Sequence, residues 1–342
     1  MIVNINLNTY QKISNKTNLK SNNTSFKGLK TPKLKSMFVF DLDGTLATAT
    51  NNQMKIIFDK SKDCNSYIVY ATGRTLKEFQ KLQNKLLLKG VTLPSPDYLV
   101  ANNGQFVYEN IDNILVESIQ YQNQLQQKTN FSRDIVTDVM KNFSQRSKYR
   151  YTDSELTQLS NLDKVRKSDP EFYNSKISYY EWNPSKNMAE YFLSHDVNTK
   201  VLKKELEEEL AKRNIKIKFR ENHYTKPIMD ACNESILLQS NNLRRHKDGS
   251  MTALFLCAAD KSDGIDYIRK TRDVNFSEIL IAGNDDNDIP MAKLAKKGAK
   301  FICLRDASKN LITYCQNLKE NCLLSLKFGA EAILDGLQIF TK

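Results

Sequence analysis

The sequence predicts an α/β protein whose parallel sheet is interrupted by an inserted α+β unit. Short apolar runs alternate with helical segments over residues 37–109, and the same alternation returns near residue 252. Between these parts lie polar helices and strands of mixed polarity. With 342 residues, the chain is long enough for two domains. We therefore predict a core formed by residues 37–109 and 256–342, and an inserted unit at residues 110–255.

The basic charge is concentrated at the start of the chain. Residues 1–36 contain seven lysines and no acidic residue, which leaves +5 of the net +12 for the remainder. This tail is rich in Asn, Ser and Thr, so we expect it to be disordered or loosely attached. Its composition fits a solubilising segment, an organelle-targeting segment or a weak binder of nucleic acid or membrane surfaces, although the lack of arginine counts against targeting.

Composition and motifs also exclude several classes of protein. No apolar run approaches the ~20 residues that a membrane-spanning helix needs. The six cysteines are scattered without a C-x-x-C pair, which indicates free thiols in a reducing compartment and neither a disulfide framework nor a zinc site. Neither a G-x-x-x-x-G-K phosphate loop nor a G-x-S-x-G turn is present. We expect a cytoplasmic protein with no membrane or nucleic-acid partner. The sequence leaves the oligomeric state open and favours a monomer.

The first buried strand ends in two carboxylates. Residues 37–40 are a continuous apolar run, typical of a strand covered on both faces. Asp41 and Asp43 follow, one residue apart, before Gly44. Because two carboxylates repel each other and burial disfavours both charges, such a pair indicates a hard cation with oxygen ligands, or acid–base and nucleophilic work. The alternative is a polar turn marked by its Asp-Gly pair.

The other elements follow from periodicity and turn chemistry. The capping-box pair Thr75 and Glu78 opens a helix, and a strand at 98–101 is followed by a hairpin strand at 106–108. Apolar residues at helical spacing predict helices at 51–62, 120–127, 132–143, 199–213, after residue 262 and at 329–339; apolar or alternating runs predict strands at 67–71, 176–182, 188–193, 215–219, 254–258, 278–282 and 300–304.

Polar residues recur directly after these buried strands or at the start of a helix. Asp41 and Asp43 follow the first strand and Thr72 follows the second, while Lys261 and the run 284–288 come much later in the chain. In an open parallel sheet, ligands bind beyond the carboxyl ends of the strands. We therefore expect these distant groups to meet at one edge of the sheet.

In order and spacing, these motifs resemble those of the haloacid dehalogenase superfamily. The D-x-D-G-T stretch at 41–45, the strand ending in Thr72, the isolated Lys261 and the G-N-D-D-N-D run at 283–288 are similar to its four motifs. The resemblance runs from residue 37 to about 337 and implies a Rossmann-like core carrying a C2-type cap. Four further segments resemble subclass IIB, which includes Cof-type sugar phosphatases and sucrose-phosphate phosphatases: A-T-G-R at 71–74, N-G at 103–104, K-I-S-Y-Y at 176–180 and N-D-I-P-M at 287–291.

The resemblance implies a role for each motif. Asp41 would attack phosphorus and form an aspartyl-phosphate, and Asp43 would protonate the leaving oxygen and then take a proton from water. Thr72 would hydrogen-bond the phosphate, and Lys261 would neutralise charge on Asp41 and the phosphate. The alternatives are a helix N-cap for Thr72, for which Thr75 is better placed, and a solvated surface lysine for Lys261. Substrate contacts are further implied for Leu42, Gly44, Thr45, Gly73, Arg74, Asn103 and Asn287.

The implied cofactor is Mg²⁺, which favours an octahedral shell of oxygen ligands and often retains water. The implied ligands are Asp41, the carbonyl of Asp43, and Asn284, Asp285 and Asp288 of the acidic run. Asn284 departs from the family pattern, because an aspartate usually stands there. An amide oxygen ligates without charge, so metal affinity falls unless Asp285 or Asp288 compensates.

The inserted unit would be the cap that closes over the site and selects the leaving group. Lys176 and Trp182 are candidates to hold a hydroxylated substrate, with a place in the cap core as the alternative for Trp182. Arg146, Lys148 and Arg150 would either attract a second anionic group or form a solvated surface.

The sequence thus predicts a Mg²⁺-dependent phosphatase of a small phosphorylated metabolite, foremost a sugar phosphate such as a sucrose phosphate or another hexose phosphate. A phosphorylated cofactor as substrate and a mutase-like reaction are alternatives with the same chemistry. Asn284 motivates another alternative, a binding or regulatory protein on a weakened phosphatase scaffold. The basic tail motivates a last one, nucleic-acid binding.

Overall fold

The computed structural model describes residues 36–156, 174–180, 185–225 and 243–341, which form two β-sheets with helices packed against them. The predictions for the tail and for Trp182 lie outside these residues. The strands are β1 (Ser36–Phe40), β2 (Ser66–Ala71), β3 (Tyr98–Ala101), β4 (Phe106–Ile111), β5 (Ile114–Glu117), β6 (Ile177–Tyr180), β7 (Met188–Leu193), β8 (Lys218–Tyr224), β9 (Met251–Cys257), β10 (Ile279–Gly283), β11 (Lys300–Cys303) and β12 (Cys322–Leu324). The α-helices are α1 (Asn51–Asp63), α2 (Leu76–Leu88), α3 (Ile119–Thr129), α4 (Arg133–Ser144), α5 (Asp153–Leu156), α6 (Thr199–Ala211), α7 (Lys261–Arg272), α8 (Ile289–Ala292), α9 (Lys309–Cys315) and α10 (Gly329–Phe340).

The larger sheet has β1 near its centre. Its order is β12-β11-β10-β1-β2-β3-β4-β5; the strands from β12 to β3 run parallel, and β4 and β5 are antiparallel additions. The chain proceeds from β1 to β2 on one side and returns to β10 on the other, so the strand order switches direction between β1 and β10. In such sheets, ligands bind beyond the carboxyl ends of the strands at this point. The predicted α/β fold with a parallel sheet is confirmed.

Alternation along β1 shows how both faces of the larger sheet are covered. Phe38 and Phe40 pack with side chains of α1, α2 and α10, while Met37 and Val39 pack with side chains of α7 and α8. All four residues are at most 3 % exposed. Each such side chain stabilises the fold by roughly 1.5–3 kcal/mol through leaving water. Because β1 is covered on both faces, its first polar position is Asp41, directly after the strand ends.

The smaller sheet, in the order β6-β7-β9-β8, is antiparallel throughout. One face carries Tyr191 and Leu254, which join the buried cluster formed with α4 and α6. The other face carries Phe192 and Phe255, which belong to a separate apolar cluster. This sheet and its helices lie in sequence between β5 and β10, as the predicted α+β insertion requires.

One strand was predicted for the wrong sheet, and another was predicted with the wrong residue bounds. The strand predicted at 254–258, where the core pattern returns, is β9 and pairs with β7 and β8 in the smaller sheet. The strand predicted at 215–219 begins only at Lys218 and runs to Tyr224. In addition, β5 extends the larger sheet past residue 109. The short elements β12 and α9 escaped prediction because so few residues carry too little periodicity.

Five cysteines lie in the described part of the chain, and all five are free thiols. Within the described residues, Cys257, Cys303 and Cys315 are buried free thiols, and Cys64 and Cys322 are half-buried free thiols. Of the helices in that part of the chain, none combines the length and the apolar character needed to cross a bilayer.

Candidate active site

Lys261 joins two buried carboxylates that come from distant parts of the chain. Its ammonium donates to Asp41 Oδ1 at 2.7 Å and to Asp288 Oδ1 at 2.6 Å. Lys261 and Asp288 are fully buried, and Asp41 is 4 % exposed. Asp41 follows β1, Asp288 lies in the loop after β10, and Lys261 is the first residue of α7. The structure therefore brings these three groups together at the carboxyl edge of the larger sheet.

Burial controls the protonation of this cluster. Desolvation raises the pKa of Asp41 to about 7, although the charge of Lys261 opposes this and the carboxylate of Asp288 reinforces it. Burial alone would lower the pKa of Lys261, but the carboxylates of Asp288 and Asp41 together raise it above its ordinary value. The lysine is therefore held as a cation beside Asp41, where it can offset negative charge that gathers on a ligand.

The turn after β1 leaves main-chain N–H groups available. The carbonyls of Asp41 and Leu42 close the turn by accepting hydrogen bonds from residues further along. The N–H groups of Leu42, Asp43 and Gly44, by contrast, find no acceptor among the described residues. Gly44 has a φ of +74°, and a Cβ at this position would lie 2.4 Å from Asn284 Nδ2. Three successive N–H groups without an acceptor are suitable donors to an anion.

Asp43 forms a bidentate pair with Arg74 at the edge of this turn. Arg74 Nε donates to Asp43 Oδ2 at 2.8 Å, and Arg74 Nη2 donates to Asp43 Oδ1 at 2.6 Å. The hydrogen bond to Asp43 raises the pKa of Arg74 above its ordinary value. The side chain of Asp43 is 54 % exposed, so a ligand can reach it.

Thr72 lies in the loop after β2 with its hydroxyl near Arg74. The hydroxyl oxygen accepts from the main-chain N–H of Arg74 at 3.1 Å. The N-cap of α2 is Thr75, which forms a capping box with Glu78, as predicted. Thr75 caps the helix and Thr72 Oγ1 donates to no described residue. Thr72 is fully buried and does not line the cavity, so its contact with a ligand stays a prediction.

Asn103 and Asn287 connect the loops after β3 and β10. Asn103 adopts a left-handed conformation, with φ 53° and ψ 41°, which Asn tolerates better than most residues. Asn287 Nδ2 donates to Asn103 Oδ1 at 3.3 Å, and the main-chain N–H of Asn103 donates to the carbonyl of Thr72 at 2.9 Å. Asn287 Oδ1 is buried without a partner among the described residues. The loops after β2, β3 and β10 are thus held in one arrangement.

The acidic run is ordered by Asp288. Its Oδ2 accepts from the main-chain N–H groups of Asn284 at 2.9 Å and Asp285 at 3.1 Å. Its Oδ1 accepts from Lys261. Both carboxylate oxygens of Asp288 are therefore engaged within the protein, and this residue positions the loop and the lysine.

The donor set fits the Mg²⁺ that the family implies. Asp41, Asn284 and Asp285 line one cavity, and the carbonyl of Asp43 accepts no hydrogen bond from a described residue. Over the described ranges, no group of three or more His, Cys, Asp or Glu side chains is arranged to hold a metal. Mg²⁺ needs no such group, because it takes one or two carboxylates together with neutral oxygens and water.

A cavity of about 350 Å³ lies between the two sheets. Its floor is the carboxyl edge of the larger sheet, and its roof is the face of the smaller sheet that carries Phe255. The floor residues are Asp41, Asp43, Gly73, Arg74, Glu78, Asn102, Asn103, Asn284, Asp285 and Asn287, and the roof residues are Met188, Glu190, Arg220, Asn222, Tyr224 and Phe255.

Lys176 does not line this cavity. Its ammonium lies 2.7 Å from Asp196 Oδ2 and 3.6 Å from Glu155 Oε1. Both carboxylates come from the unit that contains the smaller sheet, so the charge of Lys176 is already compensated there. Lys176 is therefore outside the proposed site, contrary to the predicted substrate contact.

Other predicted residues contribute less than their position suggested. Leu42 can offer only its main chain, because its side chain is buried in the core of the larger sheet. The hydroxyl of Thr45 is buried without a partner among the described residues, and Thr45 does not line the cavity. Arg146 and Lys148 both pair with Glu205 outside the cavity, in line with the interpretation as a solvated surface.

The roof residues were not identified from the sequence. Glu190 is an acid within the apolar run of β7, which is a signal that could have found it. Arg220, Asn222 and Tyr224 alternate along β8, but the prediction ended this strand at residue 219. Alternation shows which residues share a face, yet it does not tell which face meets a ligand.

Comparisons with known proteins agree with this fold. A model of the haloacid dehalogenase-like hydrolase family matches residues 38–321, so the chain belongs to this family and the predicted resemblance is confirmed. The sucrose-phosphatase from Synechocystis sp. PCC6803, solved with sucrose and phosphate, is 17% identical; 90% of this chain and 98% of that chain are covered, with a TM-score of 0.56. A haloacid dehalogenase-like hydrolase, yhjK from Bacillus subtilis, is 13% identical, with 90% and 93% covered and a TM-score of 0.52. A search of curated proteins gave no match.

Proposed function

We propose that this hydrolase is a Mg²⁺-dependent phosphomonoesterase that acts on a small phosphorylated metabolite, foremost a sugar phosphate. The observation that carries the proposal is the buried contact of Lys261 with Asp41, which lines the cavity, and with Asp288. Burying three charged groups costs more free energy than an apolar cluster of similar size would. An arrangement of this kind at the switch point of a parallel sheet is better suited to a charged ligand than to stability alone.

The chemistry follows from the two carboxylates. Asp41 attacks phosphorus, the bond from phosphorus to the leaving oxygen breaks, and Asp43 gives that oxygen a proton. Asp43 then takes a proton from water, whose oxygen attacks the aspartyl-phosphate and releases orthophosphate from Asp41. The N–H groups of the turn after β1, the hydroxyl of Thr72 and the ammonium of Lys261 hold the phosphoryl oxygens.

Arg74 couples binding to proton transfer. It pairs with Asp43 and lines the same cavity, so an incoming phosphoryl group competes with Asp43 for the guanidinium. Once the guanidinium turns to the phosphoryl group, Asp43 is free to exchange a proton with the leaving oxygen.

Asp41, the carbonyl of Asp43, Asn284 and Asp285 would hold Mg²⁺. When bound, the ion supplies positive charge that orients and neutralises the phosphate. Because Asn284 contributes no charge and both oxygens of Asp288 are engaged, we assign the carboxylate contribution of the acidic run to Asp285.

The size and polarity of the cavity support a small polar substrate. About 350 Å³ is at the lower end of the roughly 300–1,000 Å³ of small-molecule sites. The roof offers an acid, an amide, a phenol and a guanidinium, which are suitable partners for hydroxyl groups. The similar fold of the Synechocystis protein, solved with sucrose and phosphate, supports a sugar phosphate. We propose the smaller sheet and its helices as the cap, with β5 on the core side and β9 on the cap side.

Asp41→Asn tests the function. With Mg²⁺ and a panel of phosphorylated metabolites plus a generic aryl phosphate, we expect wild type to release orthophosphate. The variant should lose at least about a thousandfold in rate, because an amide is a far weaker nucleophile than a carboxylate. The measurement is orthophosphate released with time.

Asp112→Asn is the matched control, since it removes a carboxylate from an exposed turn between β4 and β5. Its rate should equal that of wild type. If wild type released no more orthophosphate than Asp41→Asn on any compound, the chain would instead be a binding protein on a phosphatase scaffold. Asn284 is the residue that motivates this second candidate.

A further inference from the structure

The roof of the cavity carries a guanidinium with unused hydrogen-bonding capacity. Arg220 lies on β8, and its Nε is buried without an acceptor among the described residues. The guanidinium carbon lies 3.8 Å from the centroid of the Phe255 ring, so the ring supports one face of the group. The guanidinium of Arg220 is therefore positioned by an apolar contact, and it forms no ion pair with a described residue.

The neighbours of Arg220 on the roof do not compensate its charge near neutral pH. Glu190 and Arg220 both pair with Phe255 across the sheet, in a single row. Burial raises the pKa of Glu190 to about 8, even though the charge of Arg220 and a hydrogen bond from Tyr224 oppose the shift. Tyr224 donates this bond to Glu190 Oε1 at 3.2 Å. With Glu190 mostly protonated and Asn222 neutral, the roof keeps a net positive charge.

A buried guanidinium N–H without an acceptor is unfavourable unless a ligand supplies one. Carboxylate and phosphate oxygens match the geometry of a guanidinium best. On the opposite wall, the turn after β1 and Lys261 would bind the scissile phosphate. One cavity therefore presents positions for two anionic groups, one on its floor and one on its roof.

We propose that Arg220 forms a second anion-binding position, so that the preferred substrates carry a carboxylate or a second phosphate at the end remote from the scissile phosphate. The inference rests on the proposed phosphatase function and narrows its substrate class. It favours small hydroxylated compounds with two anionic groups over neutral sugars with a single phosphate. Arg220 is a specificity residue and takes no part in breaking the phosphorus–oxygen bond.

The test compares substrates that differ by one anionic group. The probes are a hexose monophosphate, the corresponding phospho-aldonate, which adds a carboxylate, and the corresponding hexose bisphosphate, which adds a phosphate. We expect kcat/KM for the first phosphate released to be about 10- to 100-fold higher for at least one doubly anionic probe, as for a hydrogen bond to a charged group. The two doubly anionic probes distinguish a carboxylate from a phosphate at the roof.

Two variants assign the preference to Arg220. In Arg220→Gln, the ratio of kcat/KM for the preferred doubly anionic probe to that for the monophosphate should fall by about tenfold or more. Arg220→Lys keeps the charge and should retain part of the ratio, mainly through KM. Arg213→Gln is the matched control, because it removes a guanidinium that follows α6 and does not line the cavity; its ratio should equal that of wild type.

The outcomes separate this inference from the proposed function. If no probe is hydrolysed in an Asp41-dependent way, the proposed function fails. The second anion position is refuted, while the phosphatase function stands, if wild type has the same kcat/KM for the monophosphate as for both doubly anionic probes. It is also refuted if Arg220→Gln leaves the ratio of the two kcat/KM values as high as in wild type. Should Arg220→Gln fail to fold, the wild-type ratio and Arg220→Lys still decide.

Discussion

At the scale of single residues, burial outweighs pairing in setting the pKa of two acids that line the cavity. Asp41 and Glu190 are both nearly inaccessible, and desolvation raises the pKa of Asp41 to about 7 and that of Glu190 to about 8. Asp59, on the exposed face of α1, shows the opposite behaviour, because a hydrogen bond from Lys55 lowers its pKa. Asp41 and Glu190 line the same cavity from opposite walls. The charge of a ligand that enters the cavity therefore changes the protonation of these two carboxyl groups.

Glu190→Gln tests the protonation of the roof without changing the proposed nucleophile. Folding raises the pKa of Glu190 from its ordinary 4.5 to about 8, so the folded protein retains a proton that the unfolded chain loses. The stability that this proton contributes is fully present below the pKa of Glu190 in the unfolded chain. It is lost as pH rises towards the pKa of Glu190 in the folded protein. Relative to wild type, the variant should gain roughly 2–4 kcal/mol of unfolding free energy between about pH 4.5 and about pH 9. Urea unfolding at both pH values measures this gain.

The control for this prediction is Glu207→Gln, which removes an exposed carboxylate from α6. Its unfolding free energy should stay within about 0.5 kcal/mol of wild type at both pH values. If Glu190→Gln differed from wild type by the same amount at both pH values, Glu190 would not be protonated in the folded protein.

At the scale of elements, α7 holds Lys261 in place through its first turn. Asp260 accepts from the N–H of Ser262 at 2.9 Å, and Asp263 accepts from the N–H of Asp260 at 2.9 Å. Lys218 of β8 donates to Asp260 at 2.7 Å and to Asp263 at 2.5 Å. The helix start is thus fixed by its own cap and by a strand of the smaller sheet. Movement of α7 would shift Lys261 relative to Asp41.

Gly264→Ala tests how closely α7 must approach the larger sheet. A Cβ at this position would lie 2.6 Å from Val100 Cγ1. Alanine gains about 1 kcal/mol in helix propensity, whereas overpacking a rigid core costs about 1–3 kcal/mol. Because Val100 is fully buried in β3, the steric cost prevails. We expect a net loss of about 1–2 kcal/mol in unfolding free energy and a fall of about tenfold in kcat, since Lys261 is displaced.

Denaturant unfolding and orthophosphate release measure the two effects. Lys270→Ala changes an exposed position of the same helix. It should change the unfolding free energy by no more than about 0.5 kcal/mol, and the rate of orthophosphate release by no more than the corresponding factor. An unchanged or higher stability for Gly264→Ala would show that α7 can move away from β3 at no cost.

At the scale of the whole molecule, the cavity exists only while both sheets are folded and docked. Its floor comes from loops of the larger sheet and its roof from β7, β8 and β9. Ligands that bind the folded protein alone stabilise it by mass action. A ligand that touches both walls therefore links the stability of the two sheets.

Mg²⁺ with a slowly hydrolysed doubly anionic substrate should protect both sheets from unfolding. At a hundredfold excess over Kd, the unfolding free energy should rise by about 2.7 kcal/mol. Hydrogen exchange followed by mass spectrometry should slow in β1 and in β8 alike, because the ligand contacts both walls. The same ligand with EDTA in place of Mg²⁺ is the control and should give weaker protection. Protection confined to β1 and its neighbours would argue against a roof contribution to binding.

The sequence alone determined which strand end carries Asp41 and Asp43 and which helix begins at Lys261. The apolar run of β1, the carboxylates Asp41 and Asp43, the cap at Thr75 and the placement of Lys261 are local features read from periodicity and spacing. Parallel strands then bring their carboxyl ends to one edge whatever the loops between them do. This is why residues as distant as Asp41 and Lys261 could be expected to meet.

Only the tertiary structure decided which residues form the roof and which charged groups are already paired within the protein. Lys176 looked available in the sequence, but Asp196 and Glu155 compensate it. Asp288 looked like a metal ligand, but both of its oxygens are engaged by α7 and by its own loop. Arg220 was not singled out in the sequence, yet it lines the cavity. Strand alternation assigns side chains to two faces, and which face meets the ligand depends on how two sheets dock, an arrangement fixed by packing between segments far apart in the chain.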